Sequence, residues 1–311
     1  MSEVVTTEVS IPVHFKGGTG QLAGSLSIPA GGARTVQLLV HGYSYSRYYW
    51  DFPYEPETYS YVRRATEAGY ATLAIDRLGD GASTRPSGRR LTWGNAALTV
   101  AQAVTALRDG SLGTAFENVV LVGHSYGSVT SYLVAGRHSG VTALIATGAA
   151  HRVNFARMTQ LVLNSPPVLR NPDFDVTDPM YVTTRKDWRG FLYQQTNADP
   201  DVIAADEQLK QTAGVLEIPS ALPYLVNGVS RTTNIPVLAV VGDADSLFAS
   251  WGAADCSSDA ALAAFERRFY GPAATVEAMV IPGGGHDINL ERTAPRAYDR
   301  MLEFVDKHVG P

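Results

Sequence analysis

The stretch NVVLVGHSYGSV, residues 118–129, decides how the rest of the chain is read. Its apolar first half has the character of a strand buried on both faces. It runs directly into Gly123-His124-Ser125-Tyr126-Gly127, a G-x-S-x-G pattern, and a helix-compatible run, YGSVTSYLVAGR, follows. The pattern alone is weak evidence, and its context is what gives it weight. A strand, a tight turn and a helix in immediate succession force strained dihedrals on the serine. They also require small residues where helix and strand nearly touch, and they lift the Ser125 hydroxyl clear of the sheet. The competing reading, a plain serine in a strand-to-helix loop, does not account for glycine on both sides.

Working outward, strands alternate with helices. VTTEVSIPVHFK and GQLAGSLSIPA, joined around Gly17-Gly18, read as an antiparallel hairpin. TVQLLVHG is a continuous apolar strand. PETYSYVRRATEAG reads as a helix with Pro56 in its first turn and Gly69 at its end. Strand YATLAIDRLG, helix WGNAALTVAQAVTALRDG, the 118–129 elbow and strand VTALIATGAA complete residues 1–150. After an interruption over 151–234 the alternation resumes in 235–311 with IPVLAVVGDAD, helix DAALAAFERRF and strand TVEAMVIPGGGH. The last helix places Leu290, Ala294, Ala297, Met301 and Phe304 on one face. This order implies a mostly parallel sheet with helices on both faces, and chemistry at the carboxyl ends of its strands.

A serine hydroxyl is a poor nucleophile at neutral pH and needs a base. Of the seven histidines, His14 lies in the hairpin, and His138 and His308 lie on helices. His41 and His124 precede strand-end turns, where a buried structural role fits. His151 follows a strand end and is a candidate for binding as well as for packing. His286, in IPGGGHDINL, follows three glycines after an apolar strand, a loop with little bulk to obstruct an imidazole reaching a neighbouring strand end. It is the candidate base. The acid that holds the base's tautomer is offered by VLAVVGDADSLF, where Asp243 and Asp245 both stand at the preceding strand end.

Five separated motifs carry a resemblance: HGYS, DRLGDGAS, GHSYGS, GDADSLF and GGGHDINL. Together they resemble the α/β-hydrolase superfamily, over the whole chain except the interruption. The resemblance implies an α/β-hydrolase fold with a cap inserted at 151–234 and the triad order Ser125, Asp245, His286. In relatives with a G-x-x-D turn the last Asp is the acid, which selects Asp245 over Asp243. Asp76, in DRLGDGAS, matches a position that braces loops. The second oxyanion donor in such enzymes comes from the loop after the third strand, here the Tyr43 amide. The first comes from the residue after the nucleophile, Tyr126. Serine at the elbow, where epoxide-opening and dehalogenating relatives carry Asp, implies acyl transfer through an acyl-enzyme. Carboxylic ester hydrolysis is the leading reading, with thioesterase, lactonase, C–C hydrolase and cyclising acyl transfer as variants of it. A ligand-sensing protein on the same fold is the alternative from another class.

The 311 residues carry a net charge of −5, 45% hydrophobic residues and no Lys/Arg-rich run, which argues against nucleic-acid or anionic-membrane partners. No membrane-length apolar run and no signal peptide stand out, so a cytoplasmic location is expected. No His/Cys/Asp cluster has metal-ligand spacing, so neither metal nor other cofactor is expected. Cys256, the single cysteine, is read as structural, its thiol pKa raised by the flanking Asp255 and Asp259. Nine aromatic residues crowd the nineteen positions from Tyr43 to Tyr61, against 9% in the whole chain. They are read as part of the pocket for a small apolar or aromatic acyl substrate, with Tyr43 and Tyr45 touching it. The cap rings Phe174, Tyr181, Trp188, Phe191, Tyr193 and Tyr224 either face substrate or form the cap's own core.

Overall fold

The computed structural model describes residues 3–169, 171, 173–226 and 228–311, and for 223–226 the backbone only. Ten strands occur among these residues: β1 (Val4–Phe15), β2 (Gly18–Pro29), β3 (Thr35–Val40), β4 (Ala71–Ile75), β5 (Asn118–His124), β6 (Ala143–Thr147), β7 (Tyr181–Val182), β8 (Ala213–Gly214), β9 (Val237–Gly242) and β10 (Val276–Ile281). Eight form one sheet in the order β1-β2-β4-β3-β5-β6-β9-β10. β4 through β10 pair in parallel, while β1 and β2 are antiparallel to each other and β2 is antiparallel to β4. The hairpin register pairs Phe15 with Gly18. Its turn places Gly17 at φ +102°, a conformation that side chains disfavour.

The apolar runs settle where the sheet is covered on both faces. Every residue of β3, β4, β6 and β9 is buried, as is all of β5 after Asn118. β3 carries two polar residues, Thr35 at its start and Gln37, whose side-chain oxygen accepts a 2.7 Å hydrogen bond from Tyr61. The helices are α1 (Pro56–Tyr59), α2 (Tyr61–Glu67), α3 (Trp93–Asp109), α4 (Tyr126–Arg137), α5 (Phe155–Leu163), α6 (Pro200–Leu209), α7 (Glu217–Val226), α8 (Asp259–Arg267) and α9 (Ala294–His308). α1 and α2 pack with α9, and α3 packs with α4. The predicted apolar stripe of the last helix is buried throughout, although Leu290 sits in a short 3₁₀ turn (Ile288–Leu290) just ahead of α9.

One expectation is corrected. The segment 56–69 is two helices and not one. Ser60 is extended (φ −99°, ψ 107°), pairs with Asp51 and caps α2 by accepting the Arg63 amide. A serine that hydrogen-bonds the backbone locally competes with helix continuation. The segment between β6 and β9 carries α5, α6 and α7, joined by 3₁₀ turns and by the two-stranded β7–β8 ribbon. No helix among the described residues is long and apolar enough to cross a membrane.

Candidate active site

The elbow adopts the strained geometry its sequence demands. Ser125 has φ +51° and ψ −118°, outside the regions that non-glycine residues favour. Its amide donates to the Thr147 carbonyl at 2.8 Å, which fixes the turn against β6. The flanking glycines are dictated by close approach. A Cβ on Gly127 would lie 2.1 Å from the Val40 carbonyl oxygen, and one on Gly123 would lie 2.5 Å from the Ser128 nitrogen. Tyr126 is the first residue of α4, so its amide has no carbonyl of its own helix to bond. A Cβ on Gly42 would fall 3.2 Å from Cβ of Ser125, so the loop after β3 runs beside the elbow and brings Tyr43 next to the serine.

Three side chains from three strand ends meet there. His286 Nε2 lies 2.9 Å from Ser125 Oγ, and His286 Nδ1 lies 2.9 Å from Asp245 Oδ2. Asp245 is fully buried, and its other oxygen accepts the Leu247 and Phe248 amides at 2.8 and 3.1 Å. Asp243 is exposed and instead accepts the Gly283 amide at 2.8 Å, bracing the neighbouring turn. Burial disfavours charge on His286. The Asp245 carboxylate and its hydrogen bond, with Asp287 and Glu291 behind them, outweigh burial and raise the imidazole above its ordinary value. Phe248 stacks on the His286 ring at 5.8 Å.

A narrow cavity opens at Ser125. Its other walls are Tyr43, Tyr126, Val129, Met158 and Leu161 of α5, Ile218, Ala221 and Leu222 of α7, and Phe248. The segment between β6 and β9 therefore supplies half of an almost wholly apolar lining. A larger open groove bounded by Arg85, Asp173, Lys186, Glu207 and Lys210 is strongly charged and does not include Ser125.

The structure separates two residues that the sequence reading had joined. Tyr43 lines the cavity, but Tyr45 does not. The Tyr45 hydroxyl turns into a buried polar knot, 2.6 Å from Asp287 and 3.2 Å from Asp206. Asp206 also accepts from Tyr48 (2.9 Å), Tyr193 (2.9 Å) and Arg189 (3.1 Å). The Arg189 guanidinium lies over the Tyr45 ring at 4.0 Å and donates to Ser44 Oγ at 2.9 Å. The physical reason is charge: a buried Arg–Asp pair needs every neighbouring donor and acceptor, and the tyrosine hydroxyls serve it. The cap rings likewise find partners away from the cavity. Tyr181 donates to the Pro86 carbonyl, Tyr193 joins the knot, and Trp188 stacks on Phe191 at 4.2 Å. Among the described cap rings, none, Phe174 included, lines the cavity. The side chain of Tyr224 lies outside the described residues.

Of the two roles open to His151, the structure shows packing. It is buried with Nδ1 2.7 Å from Glu266 and Nε2 2.8 Å from Ser230, stacked between Tyr132 and Phe269. His41 and His124 are fully buried, and Asp76 accepts the Arg47 and Ala82 amides at 2.9 Å each. Burial, then the carboxylates of Asp245, Glu266 and Asp255, push the Cys256 thiol up to about 12. Glu291 and Asp287 escaped the sequence reading. Glu291 accepts the Gly285 amide (2.8 Å) and the Gln194 amide (2.7 Å), clamping the His286 loop to the inserted segment. Burial pushes its carboxyl up to about 7 and that of Asp287 up to about 6. His124, His286 and Asp287 bring ligand atoms within 4.8 Å of one another. Both His286 nitrogens are already taken by Ser125 and Asp245, so the trio does not fit a metal without breaking those bonds.

The sequence profile of the Alpha/beta hydrolase family matches residues 37–300. The chain belongs to that family. No curated protein sequence matches this α/β hydrolase. Among solved structures it is similar to a lipase in its open form, with TM-score 0.66 and 17% identity over 99% of this chain and 100% of that one. A thermostable carboxyl esterase from Bacillus coagulans gives 0.65 and 17% over 98% and 99%. An esterase from Pyrococcus furiosus gives 0.57 and 15% over 98% and 92%. At such identities the likeness is one of fold.

Proposed function

We propose that this α/β hydrolase is a serine hydrolase that cleaves carboxylic esters through an acyl-enzyme on Ser125. The observation that carries the reading is the unbroken chain Ser125 Oγ–His286 Nε2, His286 Nδ1–Asp245 Oδ2, each link 2.9 Å, at the floor of an apolar cavity. In the proposed reaction His286 takes the Ser125 proton as Oγ attacks the substrate carbonyl, and Asp245 stabilises the imidazolium. The amides of Tyr43 and Tyr126 donate to the oxyanion, each such donor contributing about 2.7–4 kcal/mol in comparable sites. His286 then protonates the leaving alcohol. Water, deprotonated by the same imidazole, releases the acid. The segment 151–234 acts as a cap: α5 and α7 roof the cavity and exclude water from it. The lining fits an apolar acyl group, and the esterases and lipase of similar fold are consistent with that choice.

A fluorophosphonate probe tests the nucleophile. Labelling of the wild type that disappears in Ser125→Ala is the expected result. Absent labelling of the wild type, or equal labelling of the variant, would overturn the assignment. Parallel hydrolysis of matched ester, thioester and lactone substrates then ranks the acyl donors.

A further inference from the structure

The Gly42–Tyr43 peptide is gripped from behind. Its nitrogen, the Tyr43 amide, belongs to the loop that runs beside Ser125, and no backbone carbonyl among the described residues accepts it. Its oxygen, the Gly42 carbonyl, faces two buried donors. His41 Nδ1 lies 3.0 Å from it, and Arg77 Nη2 donates to it at 3.3 Å. The other nitrogen of His41 assigns the tautomer: Nε2 accepts the Arg77 amide at 3.0 Å, so the ring hydrogen sits on Nδ1 and is donated to Gly42. Burial, then the Arg77 charge, holds His41 well below its ordinary value, which keeps the imidazole neutral in that tautomer. Arg77 comes from DRLGDGAS and is 1% exposed. Its guanidinium lies 2.9 Å from Asp80 Oδ2 and donates to Glu217, the first residue of α7, at 3.1 Å. Those two carboxyls already offset its charge, so the bond to Gly42 is not needed to neutralise it. The loop also needs outside support, because Ser44, two residues after Gly42, is held at φ +59°. Its carbonyl is tied by Arg189 and the Gln211 amide at 3.1 and 2.9 Å.

We propose that Arg77 is a positioning residue of the oxyanion site: with His41 it holds the Gly42 carbonyl, aims the Tyr43 N–H at the oxyanion and polarises it. The inference rests on the acyl-enzyme reading given above and deepens it. In a planar trans peptide the C=O and N–H point in opposite directions, so donors fixed on the oxygen set where the hydrogen points. A cationic donor on that oxygen also draws electron density away from the nitrogen and strengthens the N–H as a donor. Arg77 does not line the cavity, so it acts on substrate only through this peptide. Its effect is therefore felt by the negative oxygen of the tetrahedral state far more than by the neutral ester, and it raises kcat without tightening ground-state binding.

The test compares tetrahedral with ground-state affinity. Hexyl trifluoromethyl ketone is the tetrahedral probe: Ser125 Oγ adds to its carbonyl carbon, the C=O electron pair moves onto oxygen as the oxyanion, and the serine proton passes to His286. Arg77→Lys keeps a positive charge between Asp80 and Glu217 but lacks the forked second nitrogen that reaches Gly42. The inhibition constant of the ketone and kcat on nitrophenyl hexanoate are expected to worsen together, by about ten- to hundredfold. Affinity for methyl hexanoate, titrated on Ser125→Ala with and without Arg77→Lys, is expected to change by less than about twofold. Rates are taken per fluorophosphonate-labelled site, so loss of folded protein does not enter them. Arg77→Gln/Glu217→Gln, which removes one charge of each sign, repeats the comparison and should show the same split. Unchanged ketone inhibition in a variant that folds, or equal losses for ketone and methyl hexanoate, overturns the proposal and leaves the serine-hydrolase reading intact. Missing labelling of the wild type overturns that reading and the Arg77 role with it.

Discussion

Tyr43 and Tyr45 stand two residues apart on one loop and end in opposite environments. Tyr43 faces the apolar cavity with Val129, Leu161 and Ile218, while Tyr45 is drawn into the polar knot of Arg189, Asp206 and Asp287. Both regions are built where the inserted segment meets the core, and both press on Ser125 and His286 from either side. The cavity holds by area and shape, which tolerate change. The knot holds by pairing of buried charges, which does not. The ring-rich loop therefore does two things at once: its Tyr43 end lines the cavity at Ser125, and its Tyr45 and Tyr48 hydroxyls bond Asp206 of the inserted segment.

That contrast is open to attack at decreasing scale. The largest expected effect lies between the two regions, at the triad itself. Asp245→Asn should lower kcat by on the order of 10⁴-fold with little change in melting temperature, as read by steady-state kinetics and calorimetry. Next is the knot: Asp206→Ala strands a buried guanidinium and should destabilise the protein by about 3–5 kcal/mol in denaturant titrations. A loss below about 1 kcal/mol would equate the knot with a surface ion pair. The pH profile comes third. His286 must be neutral to act, and its environment raises its pKa above the ordinary 6.5. kcat/KM should therefore stay level at higher pH and fall about tenfold per unit once pH drops below that raised value. An acid limb centred well below the ordinary value would count against the Asp245 pairing. The smallest effect is in the cavity. Activity on aryl esters should rise with acyl length by up to about 0.8 kcal/mol per methylene, and Ile218→Phe should cut that series short. An unchanged length preference in the variant would remove α7 from the acyl wall.

Much of this protein is legible along the chain because its determinants are local. The apolar runs of β3, β5 and β9 announce a sheet covered on both faces. The glycines at 123 and 127 announce an elbow whose backbone comes within contact of β3, and the Gly-rich run before His286 announces a loop free to reach a neighbouring strand. Strand-end position thus singled out Ser125, His286 and the pair Asp243 and Asp245 in advance, and the family resemblance chose Asp245 between them. What the sequence could not contain are partnerships between residues far apart. Arg189 pairs with Asp206 and folds over Tyr45; Glu291 clamps Gly285 to Gln194; His151 finds Glu266 more than a hundred positions away. Such charges carry no local period or spacing. Only the closing of the inserted segment over the sheet, which must leave no buried charge unpaired, decides which tyrosine meets substrate and which one holds the site together.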